Sequence, residues 1–171
     1  METIEKIVAS RRQVLFKSSA LVALGLAGCA GVPPTHKFAR PLPLTYANSA
    51  LRSQLESVDL LRPFTDYWTA YAKRDWVGRY QMERFSVDIL SNFYEVYHAA
   101  AWIIEAFVVE AVSQPDEKGR VRIDVQAKFS NPNRPDEVRN GLVQDWWLGA
   151  AGAAWRHINT DPMLNGLKSP L

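Results

Sequence analysis

The sequence predicts one α+β domain over residues 50–165, with helices in its first half and a sheet in its second half. Apolar residues recur every three or four positions between about residues 51 and 98, which is typical of helices that bury one face. Residues 121–130 then alternate apolar and polar side chains, as in a half-buried strand. Helices that precede the strands, instead of alternating with them, favour an antiparallel sheet.

Two helices are predicted before residue 74, and one or two more between residues 76 and 98. Pro63 allows a fresh helix start, because the first turn of a helix tolerates proline. The helix before it carries the apolar stripe Leu51, Leu55, Val58 and Leu61. The helix after it carries an aromatic stripe that needs a partner surface: Phe64, Tyr67, Trp68 and Tyr71.

Three or four strands are predicted in the second half, forming an antiparallel meander. Residues 102–112 are rich in Val, Ile and Phe, and residues 121–129, 138–148 and 155–158 follow them. Pro, Gly, Asn and Asp cluster between these segments, as expected for turns; the Ala151-Gly152 pair predicts the last one.

Residues 1–28 have the layout of a secretory signal peptide. Basic residues precede an apolar run over 18–28, which is shorter than the roughly 20 residues of a membrane-spanning helix. The segment Leu26-Ala27-Gly28-Cys29 resembles the lipobox of bacterial lipoproteins. That resemblance implies that Cys29, the only cysteine, becomes an acylated mature N-terminus carrying chains such as palmitate.

The basic part of this segment resembles a twin-arginine export signal. Arg11 and Arg12 supply the arginine pair, but Val14 stands where that pattern has an aromatic residue. The alternative is that both arginines are the positive region of an ordinary signal peptide. The twin-arginine and general secretory routes therefore both stay open.

Residues 29–49 are predicted to be a tether, because their prolines favour extended backbone. In Gram-negative lipoproteins, the absence of aspartate at position 30 matches an outer-membrane destination on the periplasmic side. Residues 166–171 are expected to form a short tail.

Charge and residue counts exclude several functions. The net charge is +2, but residues 1–28 hold four basic and two acidic side chains, so the rest is neutral. A neutral domain argues against nucleic-acid binding, and the expected membrane contact is the lipid anchor. The three histidines lack metal-ligand spacing and no Gly-rich phosphate loop occurs, so neither a metal nor another cofactor is expected.

Residues 67–76 form an aromatic-rich stretch that ends in an aspartate-tryptophan step, and residues 143–158 contain a tryptophan pair, a glycine turn and a Gly-x-x-Trp segment. Over residues 60–160 the chain thereby resembles the NTF2-like (SnoaL-like) superfamily, whose opening helix and last hairpin look like these two stretches. The resemblance implies a curved sheet wrapped on helices to form a cone. Such cones host enzymes, ligand carriers and assembly modules.

The candidate pocket residues are Tyr67, Tyr71, Glu105 and His157, with Asp145 as a further titratable group. Glu105 is expected among apolar neighbours on the inner face of its strand. The alternatives are an edge or outer-face carboxylate between apolar neighbours, or one paired with Arg122 or Arg139. His157 is expected near the end of the last strand, either as a base or as a surface histidine. Because no second acid or base stands at a defined spacing, we expect no enzyme activity.

The adjacent Trp146 and Trp147 must point to opposite faces of their strand. The Trp146 side holds Val138, Leu142 and Leu148, and it is therefore predicted to be the core side. Trp147 is then predicted on the outer surface, where it would contact a second copy of the chain or another protein, unless the tether or residues 159–171 cover it.

The function expected from these patterns is that of a membrane-anchored periplasmic lipoprotein acting as a non-catalytic binding or assembly module. The alternatives are a small cone enzyme with acid-base chemistry and a carrier of a small apolar ligand.

Overall fold

The computed structural model describes residues 38–149 and 154–165. The predictions for Arg11, Arg12, Cys29, the turn at 151–152 and the tail at 166–171 lie outside these residues. Within them the chain forms four helices, namely α1 (Ser49–Ser57), α2 (Leu61–Lys73), α3 (Trp76–Met82) and α4 (Ser91–His98). It also forms six strands: β1 (Leu44–Tyr46), β2 (Glu83–Arg84), β3 (Ile103–Val112), β4 (Arg120–Asn131), β5 (Arg134–Leu148) and β6 (Arg156–Ile158).

Local side-chain contacts define the starts of two helices. The Asn48 side chain accepts hydrogen bonds from the backbone of Ala50 and Leu51 at the start of α1. Asp75 accepts one from Gly78 at the start of α3. A Cβ atom at Gly78 would lie 2.4 Å from this carboxylate, so the cap and a larger residue are incompatible.

The six strands form one mixed sheet in the order β1-β3-β4-β5-β6-β2. The predicted antiparallel meander is confirmed for β3 to β6. The structure adds two short strands that the sequence does not predict. Strand β1 pairs parallel with β3, and strand β2 pairs parallel with β6. The sheet therefore has six strands rather than three or four.

The described part of the predicted tether belongs to the folded domain, which corrects that prediction. Leu44 and Tyr46 are half-buried and pack on the core with Leu42, while Thr45 between them is exposed. This alternation matches an edge strand, where the preceding Pro41 and Pro43 are tolerated.

The core lies between α1, α2 and the inner face of the sheet. Phe64 and Trp68 of α2 pack against Phe107 of β3, with ring centroids 6.2 and 4.5 Å from its ring. The predicted aromatic stripe of α2 therefore finds its partner surface on the sheet. The largest fully buried side chains include Trp147, Tyr67, Tyr94, Phe64 and Phe107.

Candidate functional site

A buried cluster of ionisable groups lies where β5, β6 and β2 meet. Glu83 of β2 stands opposite His157 of β6, and His157 stands opposite Trp147 of β5. Asp145 lies two residues before Trp147 and therefore shares its face of the strand. Strand register thus brings Glu83, His157 and Asp145 together; we call them the ionic centre.

His157 bridges the two carboxylates of the ionic centre. Its Nδ1 lies 2.8 Å from Glu83 Oε2 and its Nε2 lies 2.8 Å from Asp145 Oδ1. A neutral imidazole has only one N–H, so donation to two ionised carboxylates requires the protonated ring. The geometry therefore indicates an imidazolium between two anions.

The remaining carboxylate oxygens are bound by aromatic residues. Glu83 Oε1 accepts hydrogen bonds from the hydroxyls of Tyr67 and Tyr94, at 2.7 and 2.8 Å. Asp145 Oδ2 accepts bonds from the indole N–H groups of Trp68 and Trp147, at 3.0 and 2.8 Å. All four carboxylate oxygens of Glu83 and Asp145 thus have protein partners.

Arg79 supplies a second buried cation beside the ionic centre. Its Nη2 donates to the Tyr67 hydroxyl at 2.6 Å, whereas its Nε and Nη1 have no hydrogen-bond partner among the described residues. The guanidinium instead lies 4.4 Å from the ring centroid of Tyr67 and 4.9 Å from that of Tyr71. These contacts with aromatic faces stabilise the cation. With protonated His157, Arg79 balances the two carboxylates.

The charges of the cluster shift its pKa values in opposite directions. Burial by itself lowers the pKa of His157, but the charges of Glu83 and Asp145 and the hydrogen bonds to both raise it to about 9. Burial by itself raises the pKa of Glu83, but His157 and Arg79 lower it to about 2. Burial raises the pKa of Tyr67 well above its ordinary value, which keeps its hydroxyl a donor. At neutral pH the ionic centre therefore holds a protonated His157 and an ionised Glu83, with the Arg79 cation beside it.

The ionic centre is closed to solvent. His157 and Glu83 are each 8% exposed and Asp145 is 1% exposed. A general acid or base must come within hydrogen-bond reach of a substrate. Both ring nitrogens of His157 and every carboxylate oxygen of Glu83 and Asp145 are already bonded to other groups of the protein. The same contacts connect helices α2 and α3 to strands β2, β5 and β6.

Two of the four predicted pocket residues belong to this cluster. Tyr67 stacks on the His157 ring, with centroids 4.1 Å apart. Tyr71 lies beside the cluster, contacting Arg79 through its ring while its hydroxyl donates to the Trp102 carbonyl at 2.9 Å. Asp145, the further titratable group predicted, is part of the ionic centre through its contact with His157.

Glu105 lies elsewhere, and its predicted placement among apolar side chains on the inner face is wrong. The register between β3 and β4 shifts between Ile104 and Ala106, and this irregularity turns Glu105 outward. Its carboxylate binds Arg40 at 3.2 Å and the Ser130 hydroxyl at 2.6 Å. The cation that pairs with Glu105 is therefore Arg40, in place of Arg122 or Arg139.

The prediction that Trp147 lies on the outer surface is also wrong. Trp147 is fully buried, with 0% exposure, and packs edge-on against Phe64 and Tyr67. Trp146 instead lies half-buried on the other face, near the guanidinium groups of Arg120 and Arg122. The faces of β5 are therefore the reverse of those predicted.

Sequence reasoning missed Glu83, Arg79 and Tyr94. All three fall in a region that was interpreted as helical, and Glu83 instead begins a strand of two residues. The available signal was the presence of single charged residues among aromatic ones between residues 76 and 98. That signal does not reveal which charge is buried.

Comparison with known proteins leaves the description at the level of the fold class. No family model, curated protein or solved structure matches this chain. Its described residues define an α+β protein with a mixed six-stranded sheet and a closed ionic centre. They include neither a group of His, Cys, Asp or Glu residues suited to a metal ion nor a helix long and apolar enough to cross a membrane.

Proposed function

We propose that this protein is a membrane-anchored lipoprotein on the periplasmic side of the outer membrane, whose domain is a non-catalytic binding or assembly module. The observation that carries the non-catalytic part is the closed ionic centre, in which each titratable group is bound by the protein itself. Phe64, Tyr67 and Trp147 are fully buried, and the Trp147 ring packs against the other two inside the domain, which argues against a carrier.

The proposed architecture is an NTF2-like cone. Support comes from the resemblance of residues 60–160 and from Phe64 of α2, which packs on the inner face of the sheet against Phe107 of β3 and Trp147 of β5. The short parallel strands β1 and β2 at the two sheet edges extend the meander that the resemblance implies.

An apolar face on α4 supports the binding role. Of its residues only Tyr94 is buried, whereas neighbouring apolar side chains point to solvent: Leu90 (74% exposed), Phe93 (49%), Val96 (76%) and Tyr97 (37%). Phe93 and Tyr97 stack on each other, with centroids 6.4 Å apart. An apolar patch of this kind on a folded domain is typical of a surface that contacts another protein.

We expect a photoreactive phenylalanine analogue at Val96 to cross-link the full-length protein to another envelope protein. The same analogue at Gln54, an exposed position of α1, is the control. Adducts at Val96 that disappear in a Leu90→Asp background would support the binding role. Equal adducts at both positions, or none at Val96, would contradict it.

We expect the mature protein to begin at Cys29 and to carry acyl chains. Intact mass measured after detergent extraction should show the loss of residues 1–28 and the gain of a diacylglyceryl group. The Cys29→Ala variant should remain unprocessed. A mature protein that begins elsewhere, or a Cys29→Ala variant that is still processed and membrane-bound, would refute the lipoprotein assignment.

A further inference from the structure

In the part of the chain that the structure describes, strand β5 has one edge that is almost entirely without a strand partner. Its first edge pairs with β4 from Arg134 to Leu148. Its second edge pairs with β6 only at Trp147 and Leu148. Within residues 38–149 and 154–165, no strand is paired with the second edge over residues 134–146. Alternate N–H and C=O groups along this edge therefore have no strand partner among the described residues, which is the arrangement that another strand can pair with.

From Val138 to Gln144 this edge has few of the features by which proteins usually prevent strand pairing. Over residues 134–144 every side chain except Glu137 and Val143 is exposed. Residues 138–144 contain one charged side chain, Arg139, and neither lysine nor proline, whereas Pro135 and its charged neighbours lie at the start of the strand. The pairing with β4 continues without a bulge from Val138 to Leu148. A long, regular and exposed edge is a template for adding a strand.

The side chains along the edge are arranged symmetrically about Asn140. Val138 and Leu142, which lie two residues to either side of it on one face, are 41% and 57% exposed. In an antiparallel pair of two copies centred on Asn140, Val138 of each copy would lie directly opposite Leu142 of the other copy. The pair would therefore contain two such apolar contacts, one on each side of Asn140. Cross-strand apolar pairs of this kind stabilise a sheet.

The other face of the edge also has room for a second copy. A Cβ atom at Gly141 would meet nothing within 4 Å, so the space above it is open. Arg139 would face this glycine across the pair. The guanidinium of Arg139 lies 4.0 Å from the ring centroid of Trp102, the residue directly before β3. The Arg139 side chain therefore extends toward β3 and away from the free edge.

We propose that two copies of this chain associate by antiparallel pairing of their β5 edges about a two-fold axis at Asn140. The pairing forms one continuous sheet across both copies and extends along β5 to the point where β6 begins. A two-fold contact uses the same surface of each copy, as this register requires. The contact is separate from the α4 face, so the failure of one proposal leaves the other standing.

Disulfide cross-linking of the full-length protein in its membrane tests this register. Directly opposite residues of an antiparallel pair have Cα atoms about 4.5–5.5 Å apart, within the range that a disulfide spans. We expect mild oxidation to link Asn140→Cys into a dimer at least tenfold more than Lys128→Cys, its exposed neighbour on β4. The unsubstituted chain reports any background from Cys29.

A double substitution provides the second arm of the test. Val138→Lys with Leu142→Lys places like charges opposite each other, and because both side chains are exposed the fold should persist. The Asn140→Cys cross-link should fall at least tenfold in this background while the melting temperature stays nearly unchanged. Equal linking at Asn140 and Lys128, no link at Asn140, or a link that survives the two lysines would overturn the proposal.

Discussion

Replacing His157 with leucine is expected to lower the free energy of unfolding by about 3–5 kcal/mol. The substitution leaves the buried carboxylates of Glu83 and Asp145 without the cation that bridges them. Removing one partner of a buried ion pair is costly because the remaining charge stays desolvated. Urea unfolding followed by tryptophan fluorescence measures the change.

The matched control for this substitution is Arg84→Ala. Arg84 is the exposed neighbour of Glu83 on β2, and its replacement is expected to change stability by less than about 0.5 kcal/mol. A His157→Leu variant as stable as Arg84→Ala would show that the ionic centre does not hold β6 and β2 together.

The same charges predict how stability depends on pH. The pKa of His157 is raised from 6.5 to about 9, so its contribution is complete below pH 6.5 and is lost as the pH rises through 9. The pKa of Glu83 is lowered from 4.5 to about 2, so its contribution is complete above pH 4.5 and is lost as the pH falls through 2. Burial lowers the pKa of His98 from 6.5 to about 4, so its contribution is complete above pH 6.5 and is lost as the pH falls through 4. Stability should therefore be greatest near pH 6.5.

His157→Leu should remove most of the decrease in stability between pH 6.5 and 9. This readout separates loss of the charge from loss of packing, because a packing defect lowers stability equally at both pH values. A wild-type protein that is as stable at pH 9 as at pH 6 would contradict the protonated state of His157.

Trp147→Ala is expected to destabilise the fold by about 3–5 kcal/mol, far more than Trp146→Ala. Trp147 is fully buried, fills the space between Phe64 and Tyr67, and donates its indole N–H to Asp145. Its truncation leaves a cavity and removes one hydrogen bond from a buried carboxylate. Thermal and urea unfolding of the two variants measure the difference.

Trp146→Ala is the natural control, because the two residues are adjacent on β5 and identical in size. Trp146 is half-buried and lies near two arginine side chains, so its loss should cost about 1 kcal/mol. Equal destabilisation by the two substitutions would contradict the face assignment of β5 described above.

The sequence by itself determined the order of helices and strands and the approximate positions of most of them. The periods behind these predictions are local: the aromatic stripe of α2 follows helical spacing, and residues 121–130 alternate as β4 does. The bounds of β3 and β6 differ by one residue from the predicted segments, and β5 begins four residues earlier than predicted.

Only the tertiary structure determines that the short edge strands β1 and β2 form. Strands β1 and β2 are three and two residues long, too short to carry a period of their own. They exist because they pair with β3 and β6. Glu83 enters the ionic centre only through that pairing, so its role could not be recognised from neighbouring residues.

The orientation of β5 was likewise decided by tertiary contacts. Counting apolar residues favoured the Trp146 face, because Asp145 and Arg139 made the Trp147 face seem polar. In the folded protein Asp145 is buried and bonded to His157 and to two indole N–H groups, whereas Val138 and Leu142 remain exposed on the other face of the strand. A polarity count cannot reveal this, because the free energy of burying a charge depends on partners that are distant in sequence.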